Sequence, residues 1–102
     1  MNQKKQEYVF NEITEKMKVI MLSKGNDYAN EDRLSNFKLA GNICGLSPKR
    51  NCLSLIATKV ARLGVLLKNE SEPNNESIED SLIDMANYTL LLIMLLRDEQ
   101  KI

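Results

Sequence analysis

The sequence predicts an all-α protein, a small bundle of three long helices and one short helix that oligomerisation completes. Apolar residues recur at helical spacing in three long stretches, and glycine or proline stands where such stretches would begin or end. No stretch alternates apolar and polar residues as a strand does. With 102 residues, the chain has the size of one domain, residues 1–102.

Glycines are predicted to end the first two helices. An apolar stripe at helical spacing marks helix one and consists of Phe10, Ile13, Met17, Ile20 and Met21. This stripe predicts a helix from about Lys4 to Lys24, with Gly25 as its left-handed cap. A short second helix is expected from about Glu31 to Ala40, where Gly41 would stop it.

Capping signals are predicted to start the last two helices. In "GLSPKRN", Ser47 is the capping residue and Pro48 takes the first helical position, so helix three runs from there to about Lys68. Its core face is predicted to carry five apolar residues: Leu53, Ile56, Val60, Leu63 and Leu67. Helix four begins at Asn74 or Asn75, either of which suits a cap, and continues to about Asp98.

Helix four is apolar on two sides, which predicts an oligomer. One face carries Ile78, Leu82, Met85, Ala86 and Leu96. The opposite side carries first Asp80, Asp84 and Asn87 and then Leu91, Met94 and Leu95. A helix that is apolar all round is buried all round, and so short a chain has few elements to cover both faces. We therefore expect a homo-oligomer, a dimer or tetramer, with the polar residues near a subunit boundary.

Composition excludes several classes of function. Fourteen basic and fourteen acidic residues give a formal net charge of zero, so no overall field favours a nucleic acid polymer or a membrane surface. The apolar run from Tyr88 to Leu96 is far shorter than the roughly 20 residues of a membrane span. Without histidine, Cys44 and Cys52 do not suggest a zinc site. We expect reduced thiols, no export signal and a cytoplasmic protein.

The segment "ESIEDSLIDMANY" is the candidate metal site. Glu76, Asp80 and Asp84 follow one another at intervals of four residues, so their carboxylates line one stripe of helix four. Such oxygen ligands suit Mg²⁺. The alternative is that acids in the first helical turns favour the helix dipole. That alternative suffices for Glu76 and Glu79 but explains Asp84 and Asn87 less well, since both lie deeper in the helix.

Two further pairs of charged residues have helical spacing. Lys59 and Arg62 lie three residues apart on helix three, on the side predicted to face away from the core, and suit a phosphate. The alternative is a solvated or ion-paired face. In helix one, Glu12 and Glu15 point away from the apolar stripe and are expected to be exposed.

The stretch "KGNDYANEDRLSNFK", residues 24–38, combines side chains that suit a nucleotide. Tyr28 and Phe37 can stack on a base, Asn36 can read a base edge, and cations can meet phosphate. The cations are Lys24, Arg33 and Lys38. Structural alternatives exist for each residue, with Phe37 as core filler and Tyr28 as interface packing. Taken together, the residues predict one wall of a nucleotide pocket.

A family resemblance rests on four stretches: "KGNDYANEDRLSNFK", "GLS", "KVARL" and "NESIEDSLIDMANYTLLL". They resemble small phage-encoded proteins related to MazG-like nucleotide pyrophosphohydrolases, also called nucleotide-modification-associated proteins. The similarity covers about Lys24 to Leu96. It implies an all-α, obligately oligomeric fold that handles nucleotides, and in active members Mg²⁺ held by helix acids.

The resemblance implies roles for individual residues. Asp80 and Asp84 match the acids of the last-helix motif, and the residues that follow them match at Asn87 and Tyr88. Other matches are the basic pair, Lys59 and Arg62, and the "DY" pair, Asp27 and Tyr28. Thr58 stands where the family pattern has an acid, and helix three has no Asp or Glu before Glu70. The MazG-type acidic helix motif is likewise absent from helix three.

Retained recognition residues and a depleted acid set predict a protein that binds a small nucleotide without cleaving it and needs no cofactor for binding. The predicted ligand-binding residues are Lys24, Asp27, Tyr28, Arg33, Asn36, Lys59, Arg62, Asn87 and Tyr88. The alternative is a Mg²⁺-dependent nucleoside triphosphate pyrophosphohydrolase whose metal ligands are Asp80, Asp84 and Glu76, with Glu12 or Glu15 as candidates for missing ligands. A third hypothesis is a structural bundle that binds a protein partner.

Overall fold

Four α-helices make up the secondary structure of the described residues, which confirms the all-α class. The computed structural model describes the backbone of residues 1–28, 32–68 and 75–99, and the side chains of residues 1–23, 32–68 and 78–99. The helices are α1 (Gln3–Tyr28), α2 (Ser35–Cys44), α3 (Pro48–Lys68) and α4 (Asn75–Asp98). This described part contains no strand.

An antiparallel hairpin of α3 and α4 is the centre of the fold. Lys49 Nζ lies 3.4 Å from Glu99 Oε2. Further along α3, Lys59 Nζ lies 3.2 Å from Asp84 Oδ2. The partner numbers fall as the α3 numbers rise, so the two helices run in opposite directions. The α2 helix packs on α3, and α1 packs on α4.

The innermost cluster joins three helices through Phe37, Cys52 and Leu95. Cys52 is completely enclosed, and its burial raises the pKa of its thiol to about 11. The thiol is therefore protonated at neutral pH, and its Sγ donates a hydrogen bond to the Tyr88 carbonyl at 3.3 Å. Cys44 is exposed, and both cysteines are free thiols.

The predicted ends of the first two helices are wrong, because neither Gly25 nor Gly41 ends its helix. The α1 helix passes through Gly25 and reaches Tyr28, since a glycine weakens a helix interior by about 1 kcal/mol but does not prevent it. The α2 helix begins and ends about four residues later than predicted. It is followed by Gly45, whose φ of 71° is the left-handed conformation that favours glycine.

Gly41 lies inside α2 and has a different role. The chain turns back after the helix, and Leu46 N–H donates to the Gly41 carbonyl at 2.7 Å, while Gly45 N–H donates to Asn42 O at 3.3 Å. This turn brings the Leu46 carbonyl oxygen to 2.6 Å from where a Cβ on Gly41 would be. The obstructing atom belongs to the backbone, so it cannot move aside as a flexible side chain would.

Substituting Gly41→Ala is therefore expected to destabilise the protein by about 1–3 kcal/mol, although alanine has the higher helix propensity. Thermal unfolding followed by circular dichroism should show a melting temperature lower by roughly 4–20 °C. The control is Asn42→Ala, which changes an exposed side chain of the same helix. A melting temperature equal to or above that of the wild-type protein would contradict the close approach at Gly41.

The starts of the last two helices are confirmed. Ser47 Oγ accepts a hydrogen bond from Arg50 N–H at 3.3 Å, so the predicted cap forms before Pro48 begins α3. The predicted end of α3 at Lys68 is also correct, and α4 starts at Asn75 and ends at Asp98. These signals are local in sequence, which is why they could be read without the fold.

The predicted core face of α3 is partly wrong. Leu53, Val60 and Leu67 were expected to be inside, yet each is more than half exposed, at 55%, 55% and 53%. The buried side of α3 centres on Cys52 and Leu63. Apolar residues cover more than one side of this helix, so spacing alone does not tell which side the neighbouring helices occupy.

Two other expectations of burial are wrong for the single chain. Phe10, expected in the apolar stripe of helix one, is exposed. The α4 helix is not buried all round, since four of its large apolar residues are exposed: Leu82, Leu90, Ile93 and Met94. No helix in the described part of the chain is long and apolar enough to cross a membrane.

Candidate functional site

A cavity of about 360 Å³ lies between α1, α2 and the α3–α4 hairpin. Its size falls within the usual range for small-molecule sites. Apolar side chains from all four helices form most of its wall. Its polar lining consists of five residues that the sequence analysis selected: Arg33, Asn36, Asp84, Asn87 and Tyr88. The fold therefore gathers residues from the 24–38 stretch and from the last-helix motif into one site.

Helical periodicity explains how α4 contributes three of these residues. Asp84, Asn87 and Tyr88 are three and four positions apart, so they share the side of α4 that faces the cavity. Leu91 continues the same side by one more turn. The polar half of the site is therefore built on a regular helix, which holds side chains in a fixed relative order.

The 32–38 segment is tied to the rest of the fold by ionic and polar contacts. Lys38 Nζ pairs with Asp32 and lies 3.1 Å from Asp98 Oδ2. The hydrogen bond from Lys38 lowers the pKa of Asp32, and the bonds to Asp32 and Asp98 raise the pKa of Lys38. Next to Asp32, Arg33 Nη2 donates to the Leu22 carbonyl of α1 at 3.1 Å. Arg33 is thus held at the cavity while its side chain remains exposed.

Asn87 is the most deeply buried polar residue of the site, with 6% of its surface exposed. Its Nδ2 donates to the Met17 carbonyl at 3.1 Å and so links α4 to α1. Its Oδ1 is buried and has no hydrogen-bond partner within the described part of the chain. Leaving such an acceptor unpaired costs about 1–3 kcal/mol, and a donor on a ligand in the cavity would remove this cost.

Lys59 reaches the site from α3, contrary to the prediction that it faces away from the core. Its ammonium group lies 3.2 Å from Asp84 Oδ2, and both side chains are mostly buried. Arg62, the other member of the predicted basic pair, is exposed and does not line the cavity. The two cations therefore have different surroundings, and Lys59 is neutralised by a carboxylate.

Two of the three predicted metal ligands on α4 pair with lysines from different helices. Asp84 meets Lys59 of α3, whereas Asp80 Oδ1 lies 3.7 Å from Lys16 Nζ of α1, at a more exposed position outside the cavity. A Mg²⁺ ion shared by these carboxylates would compete with both lysines. Among the described side chains, no three of His, Cys, Asp or Glu are placed to hold one metal ion. The described donors therefore do not fit a shared Mg²⁺ site.

Several predicted residues lie outside the described side chains. These are Lys24, Asp27 and Tyr28, whose backbone forms the last turns of α1, and Glu76, whose backbone lies in the first turn of α4. Glu12 and Glu15 are exposed, as expected. Phe37 is buried in the core, as its structural alternative predicted, although it also contributes to the cavity wall.

The sequence analysis missed two contributions of α1 to the site. Ile20, Met21 and Leu22 form a wall of the cavity, and Lys16 binds the acidic start of α4. Ile20 and Met21 were recognised only as apolar residues of a core stripe. Lys16 lies next to Met17 of this stripe, and a basic residue so close to a stripe expected in the core was the available signal for it.

In comparisons with known proteins, no family model, curated sequence or solved structure matches this chain.

Proposed function

We propose that the chain binds a small nucleotide in the cavity and sequesters it without cleaving it. The ligand we propose is a signalling nucleotide, a cyclic dinucleotide of host immunity against phage, captured in the cytoplasm of the host by a phage-encoded homo-oligomer. The observation that carries the proposal is the meeting of Arg33, Asn36, Asn87 and Tyr88 at one cavity. They come from two sequence stretches about 50 residues apart, yet they supply complementary parts of nucleotide recognition.

Each polar residue suits one part of such a ligand. The Arg33 guanidinium group has the planar set of donors that phosphate oxygens accept. The ring of Tyr88 is a candidate surface for a base to stack on, and apolar side chains form most of the wall around it. The amides of Asn36 and Asn87 present donors and acceptors to a base edge, and the Oδ1 of Asn87 has no hydrogen-bond partner among the described residues.

The charge arrangement favours capture over hydrolysis. Asp84, the carboxylate at the cavity, is mostly buried against Lys59, and Asp80 faces Lys16. Both carboxylates are therefore engaged with cations that the chain itself supplies. Thr58 occupies the position on α3 where the resemblance implies a further acid. The site thus resembles a recognition site more than a place where a metal polarises phosphate.

The second candidate is a Mg²⁺-dependent nucleoside triphosphate pyrophosphohydrolase. The observation that favours it is the position of Asp84 at the cavity, one turn from Asn87 and Tyr88. In that case Asp84, Asp80 and Glu76 would supply the carboxylates, and the ion would polarise the phosphate that is attacked. This candidate requires the two lysine pairs on α4 to open.

One experiment separates these functions. Purified protein is incubated with nucleoside triphosphates and cyclic oligonucleotides in the presence of Mg²⁺, and the free nucleotides are chromatographed before and after heat removes the protein. We expect one ligand to be depleted before heating and recovered intact afterwards. Release of pyrophosphate and monophosphate, lost in Asp84→Ala, would instead establish the hydrolase. Absence of any depletion, product or shift in melting temperature would favour a structural bundle.

A further inference from the structure

The side of the α3–α4 hairpin that faces away from the cavity is apolar, and no helix of the described part of the chain covers it. On α3 it carries Leu53, Ala57, Val60, Gly64 and Leu67, all exposed. On α4 it carries Leu82, Ala86, Thr89 and Ile93, which are exposed except for the half-buried Ala86. We call these nine residues the bare face. Leu53, Val60 and Leu67 repeat at intervals of seven, the spacing of residues that meet a parallel or antiparallel partner helix.

The helical geometry separates the bare face from the cavity. At about 100° per residue, the five α3 residues lie within roughly 40° of Leu53, whereas the cavity residue Leu55 lies about 160° away. On α4, the bare-face residues lie within roughly 40° of Leu82, and Asn87 lies about 140° away. In an antiparallel hairpin these rotations bring both stripes to the same side. The α1 and α2 helices therefore cover one side of the hairpin and leave the other open.

The bare face carries no charge. Between Leu53 and Leu67 the charged residues are Lys59 and Arg62, which lie about 120° and 180° from Leu53 around α3. Between Leu82 and Ile93 the charged residue is Asp84, which faces Lys59 and the cavity. Surface helices of monomeric proteins normally place charged side chains on the solvent side. An uncharged apolar side of two helices therefore indicates an interface.

Gly64 is an independent indication of close contact. It lies in the interior of α3, where glycine costs about 1 kcal/mol relative to alanine. A Cβ added to Gly64 would meet nothing within 4 Å, so packing within the described chain does not require a glycine there. Close approach of another backbone would explain it.

The α3 stripe is complementary to itself. Its order is large, small, medium, small, large: Leu53, Ala57, Val60, Gly64 and Leu67. When a second α3 lies antiparallel with the two Val60 residues at the two-fold axis, each Leu53 faces Leu67 and each Ala57 faces Gly64. The two Val60 residues then meet where the helices cross, the small residues meet one turn away on either side, and the large residues meet beyond them.

We infer that the bare face binds the bare face of a second copy of this chain about a two-fold axis at Val60. An isologous contact of this kind is the commonest way in which identical chains associate. The available area is adequate: a 21-residue helix is about 32 Å long, and two helices side by side span roughly 600 Å² in projection. The accessible area exceeds the projection and approaches the ~800 Å² that each partner buries in a standard interface.

The inferred dimer leaves one cavity on the outer side of each copy, because the bare face and the cavity lie on opposite sides of the hairpin. The inference does not rest on the proposed nucleotide function. It replaces a general expectation of oligomerisation with a defined surface and a defined axis.

The test compares two valines of α3. Val60 and Val65 are exposed to similar extents, 55% and 61%, but lie about 140° apart around the helix. In sedimentation velocity across a range of concentrations, we expect the wild-type protein and Val65→Glu to show twice the mass found for Val60→Glu. The dissociation constant of Val60→Glu should rise at least tenfold, with helical circular dichroism retained. A monomeric wild-type protein, or equal effects of the two substitutions, would overturn the inference.

Cross-linking keeps the test decisive if Val60→Glu does not fold. In a Cys44→Ser background, which removes the exposed thiol, Val60→Cys should form a disulfide-linked dimer on mild oxidation, because the two-fold axis brings residue 60 next to itself. Val65→Cys in the same background should remain uncross-linked. Equal cross-linking of both variants, or none at residue 60, would show that the α3 helices do not meet at Val60.

Discussion

Replacing Asn87 by Asp is expected to lower the free energy of unfolding at pH 7 by about 3–5 kcal/mol, the usual cost of an uncompensated buried charge. Asn87 is 6% exposed, and its Nδ2 donates to the Met17 carbonyl. The substitution removes this donor and places a carboxylate oxygen against the carbonyl oxygen. Both changes act in the same direction, so the link between α4 and α1 is lost.

The effect of Asn87→Asp should depend on pH in a defined direction. Burial raises the pKa of the new carboxyl above its value of about 3.9 in the unfolded chain. The variant is therefore most stable, relative to the wild-type protein, below the unfolded pKa, where the carboxyl is protonated in both states. This relative stability is lost as the pH rises through the folded pKa.

Thermal unfolding between pH 3 and pH 8 measures this effect. We expect the melting temperature of Asn87→Asp to lie at least roughly 12 °C below that of the wild-type protein at pH 7. At pH 3 this difference should be much smaller. The matched control is Asn36→Asp, the same substitution at an exposed residue of the same cavity, which should change stability little. Equal melting temperatures for the two variants at pH 7 would contradict the burial of Asn87.

Replacing Arg33 by Gln is expected to weaken nucleotide binding by about 10- to 100-fold. A hydrogen bond to a charged group contributes about 1.5–3 kcal/mol, and 1.4 kcal/mol corresponds to a tenfold change in affinity. Arg33 is the basic residue that lines the cavity, where it donates to the Leu22 carbonyl, whereas the ammonium group of Lys59 pairs with Asp84. Phosphate recognition should therefore depend mainly on Arg33.

Isothermal titration calorimetry with the nucleotide that the wild-type protein depletes most strongly would measure this loss. Arg97→Gln is the matched control, since Arg97 is exposed and does not line the cavity. Arg62→Gln should have a smaller effect than Arg33→Gln for the same reason. If Arg33→Gln kept the wild-type affinity for the nucleotide and Arg62→Gln lost affinity, the phosphate site would lie on the exposed surface of α3 and not in the cavity.

The class of the fold and the bounds of the last two helices could be predicted from the sequence alone. These features depend on contacts within a few residues. For example, Ser47 caps α3 by accepting a hydrogen bond from Arg50 N–H, and Pro48 is the first residue of this helix. The sequence also selected Arg33 and Asn36 through an unusual combination of polar and aromatic residues in one short stretch. Asp84 and Asn87 were selected as polar residues deep in helix four, and Tyr88 through the family resemblance. These five line one cavity. Four of them were predicted to bind one ligand, and Asp84 was predicted as a metal ligand.

Which sides of the helices are buried, and which polar groups pair, depends on how the helices pack against one another. Leu53, Val60 and Leu67 were indistinguishable by spacing from true core residues, because the position of α4 relative to α3 selects the inner side. Gly41 was predicted to end α2, because the sequence does not show that the turn after this helix brings the Leu46 carbonyl close to Gly41. Lys59 pairs with Asp84 across 25 positions, and so long a separation leaves no periodic signal in the sequence.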